Sequence, residues 1–456
     1  MKKLLLLALL CPALLKAQTN EDSVFIKKIS DEIMRNGKAH DLLRELTKGI
    51  GGRLAGSPQF RKAVTWGEGA LKTAGADKVF LQECLMPNWN RGGKDEATVV
   101  GIDRKKTARK LDVLALGNSL GTNGKIVTAP VIAVADFDEL EAKKDQVKGK
   151  IVYYNYKFDP TNIQTFRSYG EAGQYRRNGA SRAARYGAVG VMIRSLTEAT
   201  DNNPHTGSMS YNDSFPKIPA VALGGYDADY IWKLSRQSSF QVSLKTNGHF
   251  LPDAIGHNVV AELTGSEFPD QFITVGGHLD SWDVNEGAHD DGAGIVQTIE
   301  ILRTLKTLGY RPKHSLRFVL FANEENGMKG GNKYATEAKA NNEKHVFALE
   351  SDAGGFTPRG FGFTMSESQL QKVQSWLSLL KPYGTESLTM GGGGADIGPL
   401  NRTFGTPIGG LVPDGQRYFD IHHARNDVFE NVNKRELNLG AVNMGALLYL
   451  IDKYGL

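Results

Sequence analysis

The chain has 456 residues, far more than one small hydrophobic core requires, so we expect two or three folding units. Hydrophobic residues make up 40% and charged residues 23% of the chain, a globular composition that excludes a disordered or collagen-like protein. The net charge of +5 arises mostly from three lysines in the first 17 residues, so the charge does not favour a nucleic-acid partner.

Residues 1–17 have the features of a signal peptide: two lysines, an apolar run from Leu4 to Leu15, and the small residue Ala17 at the end. The apolar run is too short for the ~30 Å hydrocarbon core of a bilayer, and no later segment reaches the ~20 apolar residues of a membrane span. We therefore expect an exported protein, periplasmic or secreted, without membrane attachment after the signal peptide is removed. Removal would leave Cys84 alone, which excludes an internal disulfide bond.

Residues 18–115 are predicted to form the first part of a catalytic domain. The segment HDLLRELTKGIGGRL places Leu42, Leu43 and Leu46 on one helical face before glycines end the run. From Lys78 to Ala115 the pattern becomes alternating and β-branched, which predicts a hairpin or the edge of a sheet. The basic run from Arg104 to Lys110 has no interleaved aromatic residue and is typical of a solvated hairpin.

Residues 116–252 differ in character and are predicted to form a separate α/β insertion. Short apolar strands, as in APVIAV and KGKIVYYNY, flank one helical segment, ASRAARYGAVGVMI, and FPKIPAVALGG follows. The order of these segments resembles a protease-associated domain, in which a strand after Gly-Lys, an alanine-rich helix and an Ile-Pro-Ala strand recur. The insertion is expected to form a wall or lid over a substrate site.

Residues 253–456 show the strongest α/β signal. The apolar runs QFITVGG, SLRFVLFA, KHVFALES and TPIGGLV are typical of strands buried on both faces. Between two of them, Ile295, Ile299, Leu302 and Leu305 recur at helical spacing. We predict a mostly parallel mixed sheet covered by helices on both sides.

Acidic and histidine residues follow the predicted strands, where ligands bind in open α/β sheets. Each could be a polar loop residue or a helix cap. Neither alternative explains the adjacent acids Glu324 and Glu325 well, because two carboxylates after a buried strand need a compensating cation. The set suits zinc, with cobalt or manganese as substitutes, and comprises His278, Asp280, Asp290, Asp291, Glu324, Glu325, Asp352, His422 and His423.

These residues lie in motifs that together resemble the co-catalytic zinc exopeptidases, the superfamily of bacterial leucyl aminopeptidases and glutamate carboxypeptidases, most closely the carboxypeptidase Q-like branch. The resemblance covers nearly the whole mature chain and implies the zinc exopeptidase fold with a protease-associated insertion. The motifs are Arg53–Ser57 (RLAGS), His278-x-Asp280, Gly287–Gly292 (GAHDDG), Glu324-Glu325, Glu350–Asp352 (ESD), Gly391–Ile397 (GGGGADI) and the terminal HHARND.

By position, the resemblance implies two zinc ions per chain. One would be held by His278, Asp290 and Asp352. The other would be held by Asp290, Glu325 and His423, so that Asp290 bridges the pair. Two metals roughly 3.5–4 Å apart can activate a shared water for attack on a peptide carbonyl.

The neighbouring residues have implied roles of their own. Glu324 would act as the general base, and Asp280 would accept the spare ring N–H of His278. Asp291 would cap a helix or support the site. The resemblance favours His423 over His422 as the ligand, because the family's ligand lies four residues before an acid, here Asp427.

The glycine-rich run GGGGADI is the main candidate for contact with substrate, although a flexible surface loop is an equal alternative. Gly393 and Gly394 would let backbone approach the ligand closely, and Asp396 would meet a substrate ammonium group. Tyr418 would stabilise the oxyanion. A substrate carboxylate would require a cation, and Arg417 and Arg425 are the cations nearest to the histidines in sequence.

The sequence thus predicts a secreted two-zinc exopeptidase that hydrolyses dipeptides or short peptides with free termini. One alternative is a glutaminyl cyclase-like transferase with a single metal. The other is an inactive binding protein on the same scaffold, as in transferrin-receptor-like relatives. The resemblance also implies a homodimer, and the sequence leaves open whether the amino or the carboxyl end of the peptide is recognised.

Overall fold

The computed structural model describes residues 5–105 and 108–456, with side chains from residue 20 onward. The predicted signal peptide therefore lies outside the residues whose side chains are described. The first elements are helices α1 (Leu5–Asn36), α2 (Ala39–Gly49) and α3 (Pro58–Thr73), followed by strand β1 (Lys78–Asn90). Within the described residues, no helix combines the length and apolar character needed to cross a bilayer.

The inserted unit contains a second eight-stranded sheet. Its strand order is β3-β2-β9-β5-β6-β7-β8-β4, and β5, β6, β7 and β8 run parallel to one another. The elements are β2 (Glu96–Val100), β3 (Ala108–Leu111), β4 (Val113–Ala115), β5 (Val127–Val134), α4 (Phe137–Ala142), β6 (Ile151–Tyr154), α5 (Thr165–Ala184), β7 (Gly190–Arg194), β8 (Ala220–Leu223), α6 (Gly225–Ser235) and β9 (Gln241–Lys245).

Strand pairing moves the limits of the insertion away from the predicted residues 116 and 252. Strands β2, β3 and β4 fall within the segment 18–115, yet they pair in the second sheet. Residues 249–252 begin a strand that pairs with β1 in the first sheet. We therefore propose that the insertion spans about residues 91–248, the segment between these two paired strands.

The rest of the chain completes the first sheet. The remaining elements are β10 (His249–Leu263), β11 (Phe268–His278), α7 (Ala293–Thr307), β12 (His314–Phe321), α8 (Glu324–Gly327), α9 (Lys329–Ala340), β13 (Lys344–Glu350), β14 (Pro358–Thr364), α10 (Glu367–Gln374), α11 (Leu377–Leu380), β15 (Ser387–Met390), α12 (Gly398–Phe404), β16 (Ile408–Pro413) and α13 (Lys434–Tyr454).

The first sheet is mixed, with a parallel centre. Its order is β1-β10-β12-β11-β13-β16-β14-β15, and the four strands β12, β11, β13 and β16 are parallel neighbours. Successive side chains pack on opposite faces of the sheet: Val259 packs on the side of α3 and α7, whereas Val260 packs on the side of α9 and α12. The apolar runs are continuous because both faces are covered, which confirms the predicted helix-covered α/β sheet.

Candidate metal centre

The predicted site residues meet where the parallel strands end. His278 is the last residue of β11, and Glu324 and Glu325 form the turn α8 just after β12. Asp352 follows β13 by two residues, and His423 follows β16 after a short 3₁₀ helix, Gly415–Asp420. Because parallel strands end at the same edge, segments distant in sequence deliver side chains to one place.

Asp290 stands between the two halves of this group. Its Oδ1 lies 3.2 Å from His278 Nε2, which is also 3.4 Å from Asp352 Oδ1. Its Oδ2 lies 3.2 Å from His423 Nε2, which is also 3.1 Å from Glu325 Oε2. The two carboxylate oxygens of Asp290 thus face two different histidine–carboxylate pairs.

The spacing and chemistry of these donors fit divalent cations. Zinc holds nitrogen and oxygen ligands at about 2.0–2.2 Å in a tetrahedron, which puts neighbouring donor atoms about 3.3–3.6 Å apart. The four distances, 3.1–3.4 Å, lie at or just below the short end of this range. Oδ2 of Asp290 and Oε1 of Glu325 are buried and have no hydrogen-bond partner, so a cation would also satisfy groups that protein contacts leave unpaired.

The electrostatics of the group point the same way. Burial, together with the nearby Asp290 carboxylate, raises the pKa of Glu325 to about 7. Burial also raises the pKa of Glu324 well above its usual value, and repulsion from Asp352 and Glu325 adds to the shift although His278 opposes it. Burial alone would lower the pKa of His278, but Asp352 and Asp290 outweigh it and raise that pKa. Carboxylates this crowded need positive charge to remain ionised together.

Asp280 does not make the hydrogen bond expected of it. The ring Nδ1 of His278 donates to the backbone carbonyl of Asp280 at 3.0 Å, whereas the Asp280 carboxylate is 3.8 Å from that nitrogen. The carboxylate instead accepts the backbone N–H groups of Glu324 at 3.0 Å and of Glu325 at 3.3 Å. Because the carbonyl is closer, backbone fixes the ring, and the side chain is free to hold the turn that carries the two glutamates.

Two further carboxylates support the backbone of the metal-facing residues. Asp291 accepts the N–H of His278 at 3.0 Å and that of Gly294 at 2.9 Å, in the first turn of α7. Asp427 accepts the N–H groups of His289 at 2.8 Å and Asp290 at 3.2 Å. These contacts orient the segments that present His278 and Asp290, as outer contacts do in metal sites.

A buried arginine from the RLAGS segment fixes the loop between these ligands. Arg53 is fully buried and donates to the carbonyls of Leu279 at 2.6 Å, Glu286 at 2.7 Å and Gly287 at 3.0 Å. The sequence marked this segment only through its resemblance. The structure shows that its guanidinium ties together both ends of the loop from His278 to Asp290.

His422 and His423 stack face to face, with ring centroids 3.6 Å apart. Nε2 of His422 lies 3.6 Å from Asp290 Oδ2, farther than Nε2 of His423, and no ion-pair contact joins His422 to Glu325 within the described residues. The His422 carbonyl accepts from Nδ1 of His205, a residue of the insertion, at 2.7 Å. The geometry therefore favours His423 as the donor that faces both acids.

The glycine-rich loop approaches protein groups closely. At Gly394 an added Cβ would overlap the carboxyl group of Glu350, and at Gly393, whose φ is +145°, it would meet Ile408. Glu350 Oε2 accepts the N–H groups of Asp396 at 3.1 Å and Ile397 at 2.9 Å. Asp396 itself is fully buried, and neither of its carboxylate oxygens has a hydrogen-bond partner. Substrate contact by these glycines stays a prediction.

Tyr418 is buried near the metal-facing acids. Its ring stacks on Phe166 of the insertion with centroids 5.5 Å apart. Burial raises the pKa of its phenol well above the usual value, and the charges of Asp290 and Asp352 add to the shift. The phenol therefore stays protonated and able to donate a hydrogen bond.

The arginines proposed from sequence proximity are engaged elsewhere. Arg425 forms a two-point ion pair with Asp112 at 2.9 and 3.0 Å. The guanidinium of Arg417 lies 5.6 Å from the centre of the Phe356 ring. Both are poor candidates for a substrate carboxylate beside the metal-facing residues.

The structure reveals a different arginine, Arg176 of helix α5 in the insertion. It is 5% exposed, its Nη1 lies 3.4 Å from His423 Nδ1, and its Nη2 donates to Tyr169 at 2.7 Å. Its Nε has no partner, and the described residues place no carboxylate within ion-pair distance of it. A Cβ added at Gly207 would overlap Arg176 and His423, so the absence of a side chain at Gly207 makes room for both. Nothing in the sequence marked Arg176, which precedes the alanine-rich segment that was predicted to be helical.

Comparisons with known proteins agree on one family. The family model described as Peptidase family M28 matches residues 258–447. Carboxypeptidase Q of Bos taurus is 36% identical over 415 residues, which cover 91% of this chain and 85% of that protein. The crystal structure of a peptidase M28 precursor from Shewanella amazonensis is 30% identical with a TM-score of 0.89, covering 95% of this chain and 97% of the other. A zinc aminopeptidase from Bacillus subtilis, 20% identical, shares the fold with a TM-score of 0.65, covering 90% and 94%.

Proposed function

The chain belongs to peptidase family M28, as its motifs predict, and from this premise we propose that it is an exported two-zinc exopeptidase for dipeptides or short peptides with free ends. The observation that carries the proposal is Asp290, whose two oxygens face two separate histidine–carboxylate pairs. An inactive scaffold would be expected to lack some of these groups, and here they lie together. Export and a homodimer stay predictions from the sequence.

His278, Asp290 and Asp352 would hold one zinc ion, and Asp290, Glu325 and His423 would hold the second. When bound, the two ions would lower the pKa of a shared water and polarise the peptide carbonyl. Donor type and spacing support this assignment. Cobalt or manganese could substitute because the ligands are imidazole nitrogens and carboxylate oxygens.

Glu324 is the proposed general base. It is partly exposed while its neighbour Glu325 is buried, so one glutamate of the pair is left to face solvent and substrate. Asp280 accepts the backbone N–H groups of both glutamates, which fixes the backbone from which the Glu324 side chain extends. Glu324 would take the proton of the attacking water and pass it to the leaving nitrogen, while the Tyr418 phenol would donate to the carbonyl oxygen.

Outside the metal-facing acids, the buried groups without a hydrogen-bond partner include two sets of opposite charge. Carboxylate oxygens of Asp396 and Glu350 are unpaired on the side of Glu324, whereas the Arg176 guanidinium has an unpaired Nε and places its Nη1 3.4 Å from His423 Nδ1. A dipeptide carries an ammonium group at one end and a carboxylate at the other. We therefore assign the amino end to Asp396 with Glu350, and the carboxyl end to Arg176, whose guanidinium suits carboxylates.

Two substitutions test the catalytic assignment in a dipeptide hydrolysis assay with measured zinc content. Glu324→Gln should lower kcat about 10²- to 10⁴-fold and keep both zinc ions, because Glu324 is not a ligand. Asp290→Asn should lose zinc as well as activity. A wild-type preparation with two zinc ions per chain that hydrolyses no dipeptide would refute the proposal, as would a Glu324→Gln enzyme of normal rate.

Terminus recognition is tested by comparing each free dipeptide with its N-acetylated and C-amidated forms. Arg176→Gln should remove the preference for a free carboxylate over the amide, and Asp396→Asn should remove the preference for a free amine. Arg177→Gln is the matched control for the first, since Arg177 is the next residue on α5 and is exposed. An unchanged preference in Arg176→Gln would contradict the assignment of the carboxyl end.

A further inference from the structure

The turn that carries the two glutamates is not a stable element by itself. Helix α8 has four residues, Asn323 before it has φ 60°, and Met328 after it has φ 55°. Asn326 within it departs from helical angles, with φ −137°. Left-handed backbone at non-glycine residues is unfavourable unless surrounding contacts enforce it. The position of the glutamates must therefore depend on contacts from outside the turn.

Two asparagine side chains close the turn from one side. Asn323 Nδ2 donates to Asn326 Oδ1 at 2.6 Å, so the residues that bracket the glutamates are tied together. Asn326 is buried, and its own amide group donates outward, to Oδ1 of Asn118 at 3.2 Å. In return, Asn118 Nδ2 donates to the Asn326 carbonyl at 3.3 Å. The contact is reciprocal, which fixes both the distance and the orientation of the turn.

Asn118 belongs to the insertion, and the residues on either side of it are anchored to the insertion and to β1. Before it, the Gly117 N–H donates to the Gly207 carbonyl at 2.9 Å. After it, the Ser119 carbonyl accepts from the Trp89 indole at 2.9 Å, and the Ser119 hydroxyl accepts the Ala220 N–H at 3.0 Å. With φ 67°, Asn118 projects from between two fixed residues. The insertion thus presents one rigid amide to the catalytic turn.

We propose that Asn118 is a positioning residue for the reaction: through Asn326 it holds the turn that aims Glu324, so the insertion domain sets the geometry of the general base. The inference rests on the proposed function. Asp280 fixes the turn through the backbone N–H groups of Glu324 and Glu325, and Asn118 fixes it from the opposite end. Loss of either contact leaves Glu324 free to shift, and a misplacement of about 1 Å can cost about a hundredfold in rate.

The test compares Asn118→Ala with Asn123→Ala, a matched control. Asn123 is also an insertion residue with left-handed backbone, φ 53°, but it is exposed and makes no hydrogen bond among the described residues. Both variants carry the same alanine strain, so the difference isolates the contact with Asn326. We expect Asn118→Ala to lower kcat about tenfold to hundredfold, with KM and zinc content unchanged, and Asn123→Ala to retain the wild-type kcat.

A double-mutant cycle with Asn326→Ala supplies a second readout that a merely structural role would not move. Both single changes break the bond from Asn326 Nδ2 to Asn118, although Asn326→Ala also removes the acceptor of Asn323. The losses in kcat should therefore be clearly less than additive in the double variant. Three outcomes would overturn the inference while leaving the proposed function intact. These are additive losses of kcat in the double variant, a change in KM without a change in kcat, and equal kcat in Asn118→Ala and Asn123→Ala. A zinc-loaded wild type without dipeptide hydrolysis would overturn the proposed function and the inference with it.

Discussion

Substitution of Arg53 tests how strongly the loop between two metal-facing residues depends on one buried cation. Arg53→Met keeps an unbranched apolar side chain but removes three charge-assisted hydrogen bonds, to the carbonyls of Leu279, Glu286 and Gly287. The carbonyls of Leu279 and Glu286 would lose their donor, whereas the Gly287 carbonyl would keep the N–H of Gly292 at 3.0 Å. We therefore expect a large loss of stability and a weaker metal site.

The magnitude follows from the number of groups left unpaired. Each unsatisfied buried acceptor costs about 1–3 kcal/mol, or about 2–6 kcal/mol for the two carbonyls that lose their donor. Removing the desolvation penalty of a fully buried guanidinium offsets several kcal/mol. The guanidinium also attracts the buried carboxylates of Asp427 and Asp280, and that attraction is lost. The free energy of unfolding should therefore fall by about 3–5 kcal/mol.

Urea denaturation of the zinc-loaded protein measures this loss, and zinc titration of the chelated protein measures the site. Arg53→Lys should lie between wild type and Arg53→Met, because an ammonium cannot span three carbonyls as a planar guanidinium does. Zinc affinity should fall about 10- to 100-fold, as for other outer contacts of metal sites. Arg61→Met is the control, since Arg61 is exposed and makes one contact, to the Gly56 carbonyl at 3.3 Å. A stability change in Arg53→Met no larger than in Arg61→Met would refute the reasoning.

Two further predictions address the contact between the insertion and the catalytic part, and the loss of stability at low pH. Gly117→Ala should lower the free energy of unfolding by about 1–3 kcal/mol and also lower activity, because the new Cβ overlaps the buried Trp282 ring that packs edge-on against His423. Gly170→Ala is the control: this glycine lies in a helix with open space around it, so the substitution should be neutral or slightly stabilising in urea denaturation. Burial alone would raise the pKa of Glu343, but hydrogen bonds from His345 and Arg317 outweigh it and lower that pKa to about 2. The ionised carboxylate therefore stabilises the fold above pH ~4.5, and this contribution is lost as the pH falls towards 2. Glu343→Gln should flatten the pH dependence of the free energy of unfolding in that window. An equally steep loss of stability at low pH in Glu343→Gln would contradict that assignment.

The convergence of the metal-facing residues could be predicted because it depends on a sheet rule. Four apolar runs indicated parallel strands, and parallel strands end at one edge, so His278, Glu325 and Asp352 had to be close. The pattern also predicted a cation from the Glu324–Glu325 pair, for which repulsion is a local property of the sequence. The fold and the gathering of these residues were therefore readable without knowing any side-chain contact, whereas the assignment of each residue to a metal came from the family resemblance and stays a prediction.

Contacts between the insertion and the catalytic part could not be read in the same way. Arg176 and Asn118 lie more than 140 residues from their partners His423 and Asn326, and no periodicity links an insertion helix to a loop in another domain. The proposed boundaries of the insertion differ from the predicted ones for a related reason: alternation predicts that residues 96–115 form strands, but it does not tell which sheet they join. The role of Asp280 depended on whether its carbonyl or its carboxylate was nearer to His278, which only coordinates resolve.

The arrangement of buried charge gives the site a thermodynamic consequence. The acids around Asp290 and the pair Glu350 and Asp396 are buried, and so is Arg176, which lies beside His423 without an acid partner among the described residues. The imidazoles of His278 and His423 contact some of these acids, but the other acids and the guanidinium bear the cost of burial without a partner of opposite charge. Metal ions and a zwitterionic peptide would supply the missing counter-charges. Because ligands that bind the folded state stabilise it by mass action, stability and catalysis in this fold are linked through the same few unpaired atoms.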